Sequence, residues 1–336
     1  MLGGKMVALE DWAHLDTPDV YFTQEYHGVS AALEHDFSRY VLLKWEDTTG
    51  TVHLPLVLRE IGGQGYFDAT NAYGFGGPWV TGEPDVPAFR RYVDDWAREH
   101  RVVATFLQFH PVFDIHPAIA DAFGVEKAGE SVVWNLQSDD LVGQMAANHR
   151  RNWRRATRAG VEAKIIYQPT ETKSFRWLYE IGMQRLSARS FYWFPNEYWT
   201  RLGQQLGPRS LRVDAVYEGR TIASVWCLLG NDTLHFHLNG ATDEGRDLRG
   251  TFVAHLTAAQ WGQDHGFALG HLGGGAHEAL LDFKQRFDPA SARRDFSVAT
   301  LIHDAAGYQR FSAGLPETNF FPPWRDPELE TTVLSA

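Results

Sequence analysis

Two glycine-rich runs and one lysine supply the groups best suited to acyl chemistry. One run, His271-Leu272-Gly273-Gly274-Gly275-Ala276, is soon followed by Leu280-Leu281-Asp282-Phe283-Lys284-Gln285-Arg286-Phe287; the other is Ala72-Tyr73-Gly74-Phe75-Gly76-Gly77-Pro78. Consecutive glycines admit positive φ and let backbone amides approach a ligand, where their N–H groups can hold an anion. A lysine ammonium beside such a run suits the oxyanion that develops when an amine attacks an activated carbonyl. The alternative is that the glycines only make a sharp exit from a strand, and that Lys284 only caps a helix. Neither run spells G-x-G-x-x-G or a P-loop, which excludes those nucleotide sites. The general base stays open among His271, His277, Glu278 and Asp282.

A second feature is cationic. Arg150, Arg151, Arg154, Arg155 and Arg158 fall within nine residues. On a helix they span about 140° of surface, so their guanidinium groups share one face and Trp153 takes the opposite one. Guanidinium forks match phosphate oxygens, which makes this a candidate phosphate- and tRNA-binding face; a solvated face paired with acids elsewhere is the alternative. The charge balance sharpens the choice. With 31 Lys+Arg against 42 Asp+Glu the net charge is −11, which excludes a protein that coats itself with nucleic acid, so a polyanion must be met by a local patch.

The elements that position these groups occur in the same order twice. A hairpin over Tyr40–Trp45 and Thr51–Leu58 precedes the first glycine run, a helix carrying Val86, Phe89, Val93, Trp96 and Ala97, and a buried strand Val102–Phe109. Strands at Leu211–Tyr217, Thr221–Leu229 and Thr233–Leu238 then precede a helix over Gly250–His265 and a strand Phe267–Leu272. Helix and following strand are related by an offset of about 165 residues, the signature of a duplicated α/β unit. Between the halves one helix is predicted from Leu141 to a C′ residue at Gly160, followed by helices over Thr172–Arg189 and Glu197–Leu206.

Composition fits two globular domains: 336 residues, 44% hydrophobic and 22% charged. Cys227 is the only cysteine, which excludes an internal disulfide and a cysteine-rich zinc site. Met1 to Asp19 has no apolar h-region and no run of 18 apolar residues occurs, so a cytoplasmic protein without a membrane span is expected.

Tyr73-Gly-Phe-Gly-Gly-Pro78, Arg150-Arg-Asn-Trp-Arg-Arg155 running into Gly160-Val161, and His271-Leu-Gly-Gly-Gly275 ending in Phe283-Lys284-x-x-Phe287 together resemble the FemABX family of peptidyl and aminoacyl transferases. The resemblance implies an α/β (α+β) fold of two tandem GNAT-like domains, each a mixed sheet flanked by helices. The domains are placed at 1–148 and 149–302, with the tail 303–336 a candidate to pack back on the first. It further implies aminoacyl-tRNA as co-substrate, no other cofactor, and transfer of an aminoacyl group to the amine of a small peptide or metabolite in the cleft between the domains. The lysine of the Phe283-Lys284 pair stabilises transition-state charge in that family, and Arg189, with Tyr192 nearby, is the match for an acceptor-phosphate arginine. The family's first-domain lysine has no counterpart, which favours a small acceptor over a nucleotide sugar.

Tyr73, Phe75, His235 and His237 complete the acceptor candidates; the two histidines alternate along a strand and share a sheet face. The stretch Asp247-Leu248-Arg249-Gly250-Thr251-Phe252 departs from the Arg/Gln-x-x-Gly-x-Gly/Ala pyrophosphate loop of acetyl-CoA enzymes, with an acid first and a bulky residue last. That departure favours aminoacyl-tRNA over an acyl-CoA donor, which stays as the alternative beside a non-catalytic RNA- or nucleotide-binding module. No metal is expected: Pro111 and Pro117 spoil helical presentation in His110-Pro-Val-Phe-Asp114-Ile-His116. Phe191-Tyr-Trp-Phe194 is read as core and cleft wall, and Cys227 as inert packing.

Overall fold

The structure, a computed structural model, describes residues 4–275 and 277–327. The chain folds as two compact units. Among the described residues, one takes 4–16, Tyr21–Ala128 and 296–327; the other takes Thr17–Val20, 129–275 and 277–295.

The first unit contains β1 (Lys5–Leu9), α1 (Gln24–Ser30), β2 (Phe37–Glu46), β3 (Gly50–Glu60), β4 (Phe67–Thr70), β5 (Trp79–Gly82), α2 (Val86–Glu99), β6 (Val102–Gln108) and α3 (Pro117–Phe123). β1 to β4 form an antiparallel run, and β6 then lies parallel to β4. A parallel neighbour needs a crossover, and α2 supplies it. Asp85 caps α2, whose buried face is Val86, Phe89, Val93, Trp96 and Ala97, the set that periodicity predicts.

The second unit contains β7 (Glu126–Asn135), α4 (Leu141–Gln144), α5 (Ala147–Arg158), β8 (Glu162–Tyr167), α6 (Lys173–Arg185), α7 (Asn196–Gln205), β9 (Ser210–Tyr217), β10 (Arg220–Leu229), β11 (Thr233–Ala241), α8 (Asp243–Asp247), α9 (Gly250–Asp264), β12 (Leu269–Gly274) and α10 (Glu278–Gln285). Its strands run β7-β12-β11-β10-β9-β8. Only the β11–β12 pair is parallel, and α9 bridges it as α2 bridges β4 and β6. The duplication expected from element order is therefore one of topology. The chain then returns to the first unit with β13 (Arg294–Ile302), antiparallel to β6, and α11 (Ala305–Ser312).

Two expectations change. The boundary placed after residue 148 lies after 128, because β7 pairs with β12 and so joins the second sheet. The helix expected over 141–160 is broken at Met145 and Ala146, whose extended ψ angles separate α4 from α5. Arg150 stabilises the break by donating to the carbonyls of Gly143 and Met145 at 2.7 and 2.6 Å. The tail is anchored by charge: Asp68, fully buried, accepts from Arg59, Trp324 and Arg325 at 2.6, 2.8 and 2.7 Å.

Candidate functional site

Lys284 stands where β12 ends. Gly273 takes φ +76° at a register shift opposite β7, a conformation that L side chains rarely adopt, and this kink turns the strand toward α10. His277 caps α10, while Leu281 and Phe287 anchor it in the core. His149 donates from Nε2 to the Phe283 carbonyl at 2.9 Å and fixes the residue before the lysine. Lys284 Nζ then donates to the Gly274 carbonyl at 2.5 Å. Burial lowers its pKa to about 8, so the ammonium persists at neutral pH without bulk hydration. His255, held at about 4 chiefly by burial, and His271, held well below 6.5 by burial and by the charges of His235 and Lys284, stay uncharged beside it.

The glycine runs do not act alike. In the second, Gly274 offers the lysine a carbonyl rather than an amide. In the first, a Cβ on Gly74 (φ +103°) would lie 2.7 Å from the Tyr21 ring, and the Gly76 amide already donates to the Gln108 carbonyl at 2.8 Å. Gly77 likewise faces the Phe109 ring. The first run is therefore a tightly packed exit from the sheet. Phe75 is buried edge-on against Tyr21 and His110, and the Tyr73 carbonyl accepts from the Tyr26 hydroxyl at 2.6 Å.

A groove of about 300 Å³ opens beside the lysine's helix, lined by Arg185, Arg246, Arg249, Asn239, Gly240, Phe252 and Phe283 among others. Three arginines are among the lining residues. Partial desolvation and the nearby Arg246 charge lower the pKa of the exposed Arg185, and Asp243 opposes them. Arg249, in the left-handed region at φ +63°, precedes the first turn of α9. Its Nε is buried without a hydrogen-bond partner among the described residues, and its Nη1 donates to the Arg246 carbonyl at 2.8 Å. Arg246 also pairs with Asp243 at 3.5 Å on the exposed side. Sequence reading missed Arg185 and Arg246 as site residues; the available signal was Arg246-x-x-Arg249-Gly250 opening a helix. The carboxylate expected to repel a phosphate there, Asp247, does not line the groove, whereas Phe252 does.

The α5 arginines separate into two roles. Arg151, Arg154, Arg155 and Arg158 are exposed and line one surface depression, whereas Arg150 is committed to the α4 carbonyls and leaves the set of five. Trp153 packs on the core, as its position on the helix requires.

Among the acceptor candidates, His237 Nε2 lies 2.6 Å from the Tyr198 hydroxyl, and burial with the His235 charge lowers its pKa to about 3. His235 is buried against Asp19 and His271. Arg189 is exposed, and the Tyr192 carbonyl accepts from Tyr179 at 2.9 Å. The aromatic run is not uniformly core: Phe194 is buried, while Phe191 and Trp193 are 45% and 44% exposed. His116 Nδ1 caps α3, accepting from the Ala118 amide at 3.2 Å. Cys227 is fully buried, which raises its thiol pKa.

A helix-bridged parallel strand pair, a lysine at the end of the second parallel strand and a cationic groove at the bridging helix's first turn define a GNAT-type acyltransferase fold. Residues 143–285 match the acetyltransferase (GNAT) domain family. The crystal structure of FemX superposes with a TM-score of 0.64 at 11% identity, covering 87% of this chain and 94% of FemX. L-PGS from Bacillus licheniformis gives 0.52 at 16% identity, covering 73% of this chain and 80% of that one. A tandem GNAT protein from the clavulanic acid biosynthesis pathway gives 0.51 at 12% identity, covering 89% and 98%. No curated protein matches the sequence significantly. The fold is thus the FemX-like, tandem-GNAT fold that the motifs imply, and among the described residues no helix is long and apolar enough to cross a membrane.

Proposed function

We propose that the chain transfers an aminoacyl group from aminoacyl-tRNA to the amine of a small peptide or metabolite, forming an amide bond. The observation that carries this reading is the Lys284 ammonium, held by the Gly274 carbonyl and borne on the helix whose Phe283 lines the same groove as Arg185, Arg246 and Arg249. An aminoacyl ester is already activated, so catalysis requires positioning and a cation for the developing oxyanion. The groove offers the chemistry for a terminal phosphate of the donor, and the exposed Arg151, Arg154, Arg155 and Arg158 suit its polyphosphate backbone.

A second reading has its own observation. Arg246 and Arg249 stand at the start of α9, where a diphosphate finds both guanidinium groups and a helix N-terminus, so an acyl-CoA donor fits the same groove. Incubation with a charged-tRNA pool, with and without ribonuclease, beside acetyl-CoA and a mixture of amines separates the two. Ribonuclease-sensitive amide formation, seen by mass spectrometry and lost in Lys284→Ala, supports the first reading. Ribonuclease-insensitive product from acetyl-CoA supports the second. RNA binding with no transfer from either donor leaves a binding module.

A further inference from the structure

The end of the second sheet away from the lysine carries a recess of its own. β8 ends at Tyr167 opposite the start of β9, β10 ends at Leu229 beside that start, and Phe267 precedes β12 at the level where β11 begins. α9 packs across these strands and runs roughly 20 Å at 1.5 Å per residue, so its first turn reaches the groove near Lys284 while its last turn, with Trp261 and the capping His265, reaches the recess. The space is about 450 Å³, within the roughly 300–1,000 Å³ of small-ligand sites. Its walls are aromatic. His265 stacks on Trp261 with ring centroids 3.9 Å apart, and Tyr167 and Phe267 stand 5.9 and 6.0 Å from Trp261, tilted by 31° and 33°. Tyr167 is nevertheless 49% exposed, so ring surface available for stacking is left in water.

The polar groups of the recess are few and not used up by the protein. Arg209 lines it and is half-buried, and its guanidinium makes no ion pair or hydrogen bond among the described residues. No carboxylate is among the lining residues. His265 Nδ1 donates to the Trp261 carbonyl at 2.7 Å, which leaves Nε2 of the neutral ring as an acceptor. The C-terminal end of a helix carries partial negative charge, so a donor N–H is favoured beside the last turn of α9 and an anion belongs at Arg209 instead. We infer that the recess is a second ligand site, built for a nucleotide: the base lies against Trp261 and Tyr167 with an exocyclic amine toward His265, and the phosphate pairs with Arg209. A quaternary ammonium, the other guest that aromatic walls accept, is disfavoured by the guanidinium in the lining. The recess takes such a ligand whichever donor the lysine site uses.

Isothermal titration of the full chain with AMP, adenosine, ribose 5-phosphate and inosine monophosphate tests the site. AMP is expected to bind saturably and more tightly than adenosine or ribose 5-phosphate, and more tightly than inosine monophosphate, which has an oxygen in place of the amine. Trp261→Leu and Tyr167→Leu are each expected to weaken AMP about tenfold, the loss of one stacking ring, without weakening ribose 5-phosphate. Arg209→Gln is expected to bring AMP down to the affinity of adenosine. Tyr167 and Arg209 lie at the surface, so these two variants carry the test where Trp261→Leu fails to fold. Arg246→Ala with Arg249→Ala, in the lysine groove, is expected to leave AMP binding as it is. Absence of saturable AMP binding, or AMP binding unchanged in Tyr167→Leu and Arg209→Gln, overturns the site, and loss confined to the Arg246 and Arg249 variant overturns it by placing the nucleotide in the lysine groove. Equal binding of AMP and inosine monophosphate refutes the placement of the amine at His265. Competition separates the two sources of such a ligand. Displacement of AMP by a single-stranded adenine oligonucleotide assigns the recess to an unpaired base of an RNA, and AMP binding that the oligonucleotide leaves unchanged assigns it to a free nucleotide.

Discussion

Lys284 donates its ammonium to the carbonyl of Gly274, one residue beyond the glycine whose positive φ bends the strand toward it. Strand kink and charge are thus one device. Lys284→Ala is expected to lower kcat by about 10²–10³, by analogy with the loss of an oxyanion donor, with little change in KM. Gly273→Ala tests the kink. Its Cβ would stand 3.5 Å from Nζ, an ordinary contact, so the loss expected is that of a strained backbone, about 1–2 kcal/mol in urea unfolding.

The lysine also sets a pH signature. Burial holds its pKa at about 8 in the native state against 10.5 unfolded. Between those values the unfolded chain binds a proton that the native chain lacks, so stability rises with pH across the window, and below about 8 the native state carries the full cost of the buried ammonium. Lys284→Met is expected to flatten this rise and to be more stable than the parent at pH 7. Urea titrations at pH 7 and pH 10 measure it. If Lys284 acts as the proposed oxyanion partner, activity is expected to fall as pH passes about 8.

The two arginine sets are expected to separate donor contacts by distance from the reacting atoms. Arg246→Ala and Arg249→Ala should each raise KM for the donor about tenfold, the loss of one charge-assisted contact. Arg151→Glu with Arg154→Glu should weaken tRNA binding and lower the slope of log K against log salt by about 1.5–2. The same pair should leave the KM of an acyl-CoA unchanged. An unchanged tRNA salt slope would make α5 a solvated surface only.

Gly240 lies where α6 crosses β11: a Cβ there would come within 2.4–2.5 Å of the Leu178 and Tyr179 backbone. Backbone cannot swing aside as a side chain can. Gly240→Ala is therefore expected to displace α6 and cost about 1–3 kcal/mol, read as a lower midpoint in thermal or urea unfolding.

The buried Asp68 ties the tail to the first unit through Arg325 and Trp324. Asp68→Ala strands the Arg59 and Arg325 guanidinium groups and is expected to cost about 3–5 kcal/mol. Arg325→Ala, leaving Arg59 in place, should cost less and should chiefly expose the tail to limited proteolysis.

Much of the architecture was legible because hydrophobic period reports directly on secondary structure. The buried face of α2, the span of α9 and the strands β6, β9 and β10 lie within a residue or two of expectation. Lys284, Phe283 and the α5 arginines could be named because each lies in a compact local motif. β7 and β13 were not read: their burial comes from pairing with strands far along the chain, at β12 and β6, and nothing local announces that.

The sequence by itself determined which chemistry-bearing residue types are present and the elements that carry them. Tertiary structure alone decided their partners. Arg150 was equivalent to Arg154 by angle on a helix, until the break before α5 left it the carbonyls of Gly143 and Met145. Arg185 and Arg246, more than sixty residues apart, became one groove because α6 packs on the sheet beside the start of α9. Asp19 and His235 met for the same reason: hydrogen bonds and charge act over a few ångströms of space, and sequence separation does not encode that distance.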